Sequence, residues 1–271
     1  MALTLYQIDA FAGRPFEGNP AAICPLDEWL PDELMQSIAM ENNLSETAFF
    51  VESPTSNGNI FHIRWFTPVA EVDLCGHATL ASAYVIFNEL GCPQEQITFH
   101  SKSGELTVKK SGDRLEMDFP AQPPTPCETP EAIQQAFATT PIACLKGEDY
   151  IVVFKDEQDV LDAEPDLARL SDLDLRGVTI TAKSNRYDFV NRFFAPKYGI
   201  DEDPVTGSAF TQLVPYWSGV LGKTELTAKQ ISKRGGEVVC RLVGDRVKIS
   251  GQAIKYLTGV IAGAGSESNR S

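Results

Sequence analysis

The sequence predicts an α+β protein built from two copies of one unit, each a sheet wrapped around a central helix. Three observations predict it. First, short landmarks recur in the same order. Arg64-Trp65-Phe66-Thr67-Pro68 is answered by Arg192-Phe193-Phe194-Ala195-Pro196, Gly76-His77-Ala78 by Gly207-Ser208-Ala209, and Leu90-Gly91 by Leu221-Gly222. Gly104-Glu105, with Gly112-Asp113-Arg114 eight positions on, is answered by Gly236-Glu237 and Gly244-Asp245-Arg246. The offset stays between 128 and 132 residues, which marks a duplicated unit. Second, each copy holds one apolar segment of helical length, 78–90 and 208–221, closed by a glycine. Third, the copies are separated by a stretch, 119–130, that has five prolines in the eleven residues from Pro120 to Pro130 and reads as a linker.

In chain order, residues 5–10, 48–52, 60–66, 105–109 and 114–118 are short β-rich runs bounded by Gly, Pro or Asn, and predict strands. A helix is expected from Pro31, a favoured first helical position, to about residue 42, with Leu34, Met35 and Ile38 inward. The segment 78–90 carries Leu80, Ala81, Tyr84, Val85 and Phe87, too apolar for a surface helix, so it is expected to be buried. The domains expected are 1–118 and 131–252, with a last strand near 253–262 rejoining the first. Residues 266–271 are polar, follow an Ala-Gly repeat, and are expected to fray.

Composition limits the function classes. Lys and Arg number 23 against 37 Asp and Glu, a net charge of −14. Such a chain has no electrostatic reason to seek nucleic acid or an anionic membrane. No apolar run approaches the length of a membrane span, and the N-terminus lacks the basic start of a secretory signal. Six scattered cysteines without a CxxC pair read as reduced thiols, so a cytoplasmic protein is expected. Dinucleotide, P-loop and GxSxG patterns are missing, and no further His or Cys completes a metal set with Cys75 and His77, so neither a cofactor nor a metal is expected.

Chemistry is expected where the two central helices begin. A helix start has unpaired N–H groups and a positive dipole end, which favour a carboxylate or an oxyanion. Gly76 and Gly207 could each serve only a tight turn, but their recurrence, with polar His77 and Ser208 following, favours a ligand. Glu46 enters an apolar strand, where partial desolvation would suit it to acid/base work. Asp203 precedes the second helix, as a cap or as a site carboxylate. His77 is a candidate oxyanion donor or proton relay.

Gly18-Asn19-Pro20, Asn43-Leu44-Ser45-Glu46-Thr47-Ala48-Phe49, Cys75-Gly76-His77-Ala78-Thr79 and Glu202-Asp203-Pro204-Val205-Thr206-Gly207-Ser208-Ala209 resemble, in order and spacing, the motifs of the PhzF family of phenazine-biosynthesis isomerases. The resemblance spans nearly the whole chain. It implies a diaminopimelate epimerase-like fold: two pseudo-symmetric domains, each a curled, mostly antiparallel sheet around a central helix, with the active site in the cleft between them. It also implies a homodimer and a small carboxylated substrate. The family's characterised isomerase moves a hydrogen within dihydro-hydroxyanthranilate without cofactor or metal. By that likeness Glu46 is the acid/base, His77, Asp203 and Ser208 are catalytic, and Asn19, Gly76, Thr206 and Gly207 hold substrate. Two alternatives stay open. One is an amino-acid racemase or epimerase using Cys75, although the internal repeat puts Thr206, not a second cysteine, at the partner position. The other is a non-catalytic binding protein on the same fold.

Overall fold

The computed structural model describes residues 2–54 and 56–262; the tail expected to fray lies outside them. The chain divides into two units, residues 1–117 with 251–271, and residues 118–250.

The first unit contains β1 (Leu3–Ala10), β2 (Asn19–Leu26), α1 (Asp32–Asn42), β3 (Glu46–Glu52), β4 (Ile60–Phe66), β5 (Glu71–Val72), α2 (Gly76–Tyr84), β6 (Gln96–Ser101), β7 (Gly104–Ser111) and β8 (Arg114–Pro120), whose last residues are counted with the second unit. The C-terminal strand Ala253–Ile261 pairs antiparallel with β1. From β1 the sheet runs β1-β2-β3-β4-β6-β7-β8. Its two parallel pairs, β2–β3 and β4–β6, are those whose connections carry α1 and α2, because a parallel neighbour needs a crossover.

Helix α2 buries every residue from His77 to Ala83. Its small side chains at Ala78, Ala81, Ser82 and Ala83 let β1, β2 and β3 close upon it. Beyond Tyr84 the helix widens into a π turn, Val85–Glu89, in which the Leu90 amide reaches the Val85 carbonyl at 3.0 Å, and Gly91 ends it at φ +70°. Helix α1 buries Met35, Ile38 and Ala39 against Cys24, Phe49 and Phe66, with Leu34 packed at the margin. Pro31 is its cap, not its first helical residue. Its ψ of 141° is extended, while its carbonyl takes the first helical bonds, from Leu34 and Met35.

The second unit contains β9 (Thr125–Pro126), α3 (Glu131–Ala136), β10 (Ala143–Lys146), β11 (Tyr150–Val153), α4 (Glu157–Leu161), α5 (Leu167–Ser171), β12 (Val178–Lys183), β13 (Phe189–Ala195), β14 (Ile200–Asp203), α6 (Phe210–Leu221), β15 (Glu225–Gln230), β16 (Gly236–Val243) and β17 (Arg246–Gly251), whose last residue is counted with the first unit. Its sheet order, β10-β11-β12-β13-β15-β16-β17, repeats the first unit's order, with antiparallel and parallel pairs in the same succession. The duplication is therefore present in the hydrogen bonding as well as in the sequence. A 3₁₀ turn, Gly207–Ala209, leads into α6, and Gly222 at φ +68° closes it. Among the described residues no helix is long and apolar enough to cross a membrane.

The recurring arginines have a structural cause. Arg64 on β4 makes a bidentate pair with Glu71 on β5, at 2.8 and 2.9 Å. Arg192 on β13 does the same with Glu202 on β14, at 2.6 and 3.1 Å. Each pair clamps the short strand that delivers the chain to the start of a central helix.

The proline-rich stretch 119–130 differs from the expected linker: it belongs to the second unit. Pro215 lies inside α6 and has no amide to offer the Thr211 carbonyl one turn back. The Gln122 amide takes that carbonyl instead, at 2.9 Å, and the Thr211 hydroxyl donates to Gln122 Oε1 at 2.6 Å. Thr125 and Pro126 then pair with β10.

Candidate active site

Asn19, Glu46, Gly76 and His77 lie in the first unit; Asp203, Thr206, Gly207 and Ser208 lie in the second.

Glu46 opens β3, opposite Ala21 of β2. The turn before β2 depends on Gly18. Its φ is +66°, and a Cβ there would lie 2.1 Å from the Ala10 carbonyl oxygen, so only glycine lets the chain pass β1 this closely. The turn delivers Asn19, fully buried, whose Oδ1 accepts from the Ser45 hydroxyl at 3.2 Å. On the other side Asn42 Nδ2 donates to Thr47 Oγ1 at 3.1 Å. Ser45 and Thr47 are thus both pinned, and Glu46 between them is fixed in place.

His77 is the second residue of α2. Cys75 ahead of it is extended, and no side chain caps the helix. The first-turn N–H groups of Gly76 and His77 therefore keep the anion preference of a helix start. The imidazole is held from both sides: Nδ1 is 3.5 Å from Cys75 Sγ, and Nε2 is 3.1 Å from Glu46 Oε2. The His77–Glu46 contact is within ion-pair range but too bent for a hydrogen bond. Both buried atoms thus retain unmet bonding capacity among the described residues. Burial opposes charge on His77, but Cys75 and Glu46 outweigh it and hold the imidazole well above its ordinary value. Burial, aided by Glu46, pushes the Cys75 thiol up, while His77 beside it pulls the other way.

Sequence proximity had offered no third ligand beside Cys75 and His77. The fold supplies one in Glu46: one donor atom from each of the three lies within 4.8 Å of the others, a mixed N, S and O set that a soft divalent cation could accept.

In the second unit Asp203 ends β14, and Thr206 caps the 3₁₀ turn. The Thr206 hydroxyl donates to the Asp203 carboxylate. Gln230, fully buried on β15, clamps this turn. Its Oε1 accepts from the Thr206 amide at 2.9 Å and from Asn191 Nδ2 at 3.0 Å, and its Nε2 donates to the Asp203 carbonyl at 2.7 Å. The Thr206 side chain is thereby committed to the turn itself. Gly207 is buried and begins an uncapped turn.

Ser208 is half-buried and receives a hydrogen bond from Arg176 Nη2 at 3.0 Å. Arg176 grips buried Asp149 through Nε at 2.9 Å and Nη2 at 2.6 Å, and Gln212 of α6 donates to the same carboxylate at 3.1 Å. Sequence reasoning missed Arg176, Asp149, Gln212 and Gln230. Each lies more than twenty residues from its partner in these bonds, and no local pattern announces any of them.

Residues 8–259 match the PhzC-PhzF family, described as phenazine biosynthesis-like protein. A Pseudomonas aeruginosa protein named an uncharacterized isomerase is 52% identical over 261 residues, covering 96% of this chain and 99% of its own. A solved PhzF family protein from Enterococcus faecalis, 44% identical, superposes with a TM-score of 0.93 over 96% of this chain and 99% of its own. A hydroxyproline epimerase from Agrobacterium vitis, at 8% identity, shares the fold with a TM-score of 0.59 over 96% of this chain and 92% of its own. The fold is thus the α+β, epimerase-like one. The chain belongs to the PhzC-PhzF family of phenazine biosynthesis-like proteins, and it is an isomerase of that family.

Proposed function

We propose that this isomerase moves a proton between carbon atoms of a small carboxylated substrate, with Glu46 as the acid/base and no cofactor. One observation carries the proposal: Oε2 of half-buried Glu46 and Nε2 of buried His77, both buried atoms, face each other at 3.1 Å without forming a hydrogen bond. A carboxylate with a free lone pair can take a proton from an acidic C–H, and an imidazole N–H beside it stabilises the charge that results. Glu46 then returns the proton to a second carbon, which leaves substrate and product isomeric. The uncapped starts at Gly76 and Gly207 suit a carboxylate or an oxyanion, and Ser208 adds a donor. Asn19 and Asp203 contribute by holding the segments that carry Glu46 and Ser208.

The test is turnover of trans-2,3-dihydro-3-hydroxyanthranilate in deuterated water, by wild type and by Glu46→Gln, with and without a chelator. Turnover with solvent deuterium at the product carbon, abolished by Glu46→Gln and untouched by the chelator, is the expected result. Turnover by Glu46→Gln within a few-fold of wild type would refute the assignment of the base. Loss with the chelator would give the trio of donors to a metal. A second reading makes Cys75 the acid/base of a racemase, on the strength of its 3.5 Å contact with His77. Burial disfavours its thiolate, and substrate-protected inactivation by an alkylating agent is the result that would favour it.

A further inference from the structure

We propose that Arg176 is a positioning residue that acts through Ser208, fixing its hydroxyl as a charge-assisted donor to a substrate oxygen that gains negative charge during the reaction. A serine hydroxyl has one hydrogen to give and two lone pairs to offer. Arg176 Nη2, 3.0 Å away, occupies a lone pair of Ser208 Oγ, and among the described residues no group accepts the Ser208 hydrogen. A cationic donor on its oxygen polarises the O–H bond, which makes the hydroxyl a better donor outward.

The guanidinium has no freedom to do otherwise. Asp149 holds it through Nε and Nη2, Glu148 meets Nη1 at 3.0 Å, and its Cζ lies 5.4 Å from the centroid of the Phe193 ring. Asp149 is fully buried and is itself fixed by Gln212, which donates to its carboxylate and accepts from its amide. Two glycines leave room for the assembly. A Cβ at Gly147 would lie 2.4 Å from Gln212 Oε1, and one at Gly177, next to Arg176, would lie 2.6 Å from the Phe193 ring and 2.7 Å from the Phe194 carbonyl oxygen. A lysine could satisfy Asp149 as a point charge, but it could not grip the carboxylate in a fork and reach Ser208 with the same nitrogen. A half-buried hydroxyl has water at hand, so the second bond from Nη2, the one to Ser208, is not needed for packing. That the acceptor is a substrate oxygen rests on the proposed isomerase chemistry; the polarisation of position 208 does not.

The experiment therefore needs no substrate. Ser208→Cys places a thiol where the hydroxyl stands. Its alkylation by iodoacetamide is followed against pH by mass spectrometry of tryptic peptide 198–223, which contains no other cysteine. The same measurement is made with Arg176→Gln added, and with Arg176→Gln and Asp149→Asn added together. The last variant removes the buried charge along with its partner, so the fold is kept, as circular dichroism verifies. The half-maximal rate should lie at lower pH in Ser208→Cys than after loss of Arg176, whose charge Asp149, Glu148 and Asp203 offset only in part. Loss of Arg176 should slow alkylation at neutral pH about tenfold or more in both backgrounds. A pH profile that Arg176 does not move overturns the proposal, whatever substrate the enzyme takes. A moved profile with no turnover of the dihydroanthranilate would leave Arg176 polarising Ser208 and put the substrate assignment alone in error.

Discussion

Gly18→Ala tests the support of Glu46 more directly than any change at the catalytic group. At φ +66° an alanine sits in the left-handed region, at a cost of about 1–2 kcal/mol. Its Cβ would also lie 2.1 Å from the Ala10 carbonyl oxygen and 2.9 Å from the Ala12 Cβ. Ala10 cannot move aside cheaply, because it is paired with Asn19 on β2 and with Ala253 on the C-terminal strand. Relief of the clash therefore breaks one or two ladder hydrogen bonds, each worth about 0.5–1.5 kcal/mol. Against this, alanine stiffens the unfolded chain and returns about 0.4–1 kcal/mol. The net loss should be about 0.5–4.5 kcal/mol. Gly58→Ala is the matched control: its φ is +79°, but nothing lies within 4 Å of the new Cβ, so the same reasoning gives about 0–1.5 kcal/mol. Urea unfolding of the two variants, followed by tryptophan fluorescence, to which Trp65, buried in the same unit, contributes, measures the difference. If the two losses agree to within about 0.5 kcal/mol, the close passage of residue 18 past β1 contributes nothing and the reasoning fails.

Further outcomes follow from the same geometry. The His77 imidazole, followed by NMR with His62 and His100 as internal references, should titrate above the usual histidine range. Glu46→Gln should lower its midpoint, since burial then meets less opposition. Because the folded value is raised, His77 stabilises the fold most at pH below its unfolded value, and this contribution fades as pH rises through the folded one. Glu71 behaves oppositely. Its bond to Arg64 holds the carboxyl below the ordinary 4.5, so its contribution is present above that value and is lost as pH falls. The stability gap between wild type and Arg64→Gln, read from urea midpoints, should shrink between pH 5 and pH 3; a constant gap would remove Glu71 from the account. Gln230→Leu should cost about 1–3 kcal/mol by orphaning the Thr206 amide and Asn191 Nδ2, with a faster-exchanging Thr206 amide as its local signature.

Much of this was legible in advance because duplication writes the same instruction twice. Arg64 and Arg192 are conspicuous as a repeat, and the structure gives each the same task, a fork onto a glutamate of the next short strand. Gly76 and Gly207 mark helix starts because nothing larger repeats there. Glu46 and His77 were named separately, from local patterns, and their contact belongs to the fold. What stayed illegible has one cause. Asp149, in a run of polar and charged residues, reads as solvated, yet it is fully buried because Arg176 and Gln212 arrive from distant segments to satisfy it. β2 escaped notice because prolines stand near both of its ends and its buried, parallel pairing with β3 removes the alternation that betrays a strand. The proline-rich stretch looked unattached because the partner of Gln122 is a helix carbonyl, which no side-chain pattern advertises.

That carbonyl has a kinetic meaning. An unbroken helix closes on itself, whereas α6 borrows an amide from residue 122, so its ladder is complete only when the incoming strand segment has docked. Helix and segment should therefore open together. The Gln122 amide, on a stretch rich in proline and poor in regular structure, should exchange with solvent as slowly as the helical amides around Thr211, and Pro215→Ala, which gives the helix its own donor, should release it to exchange on the timescale of a loop.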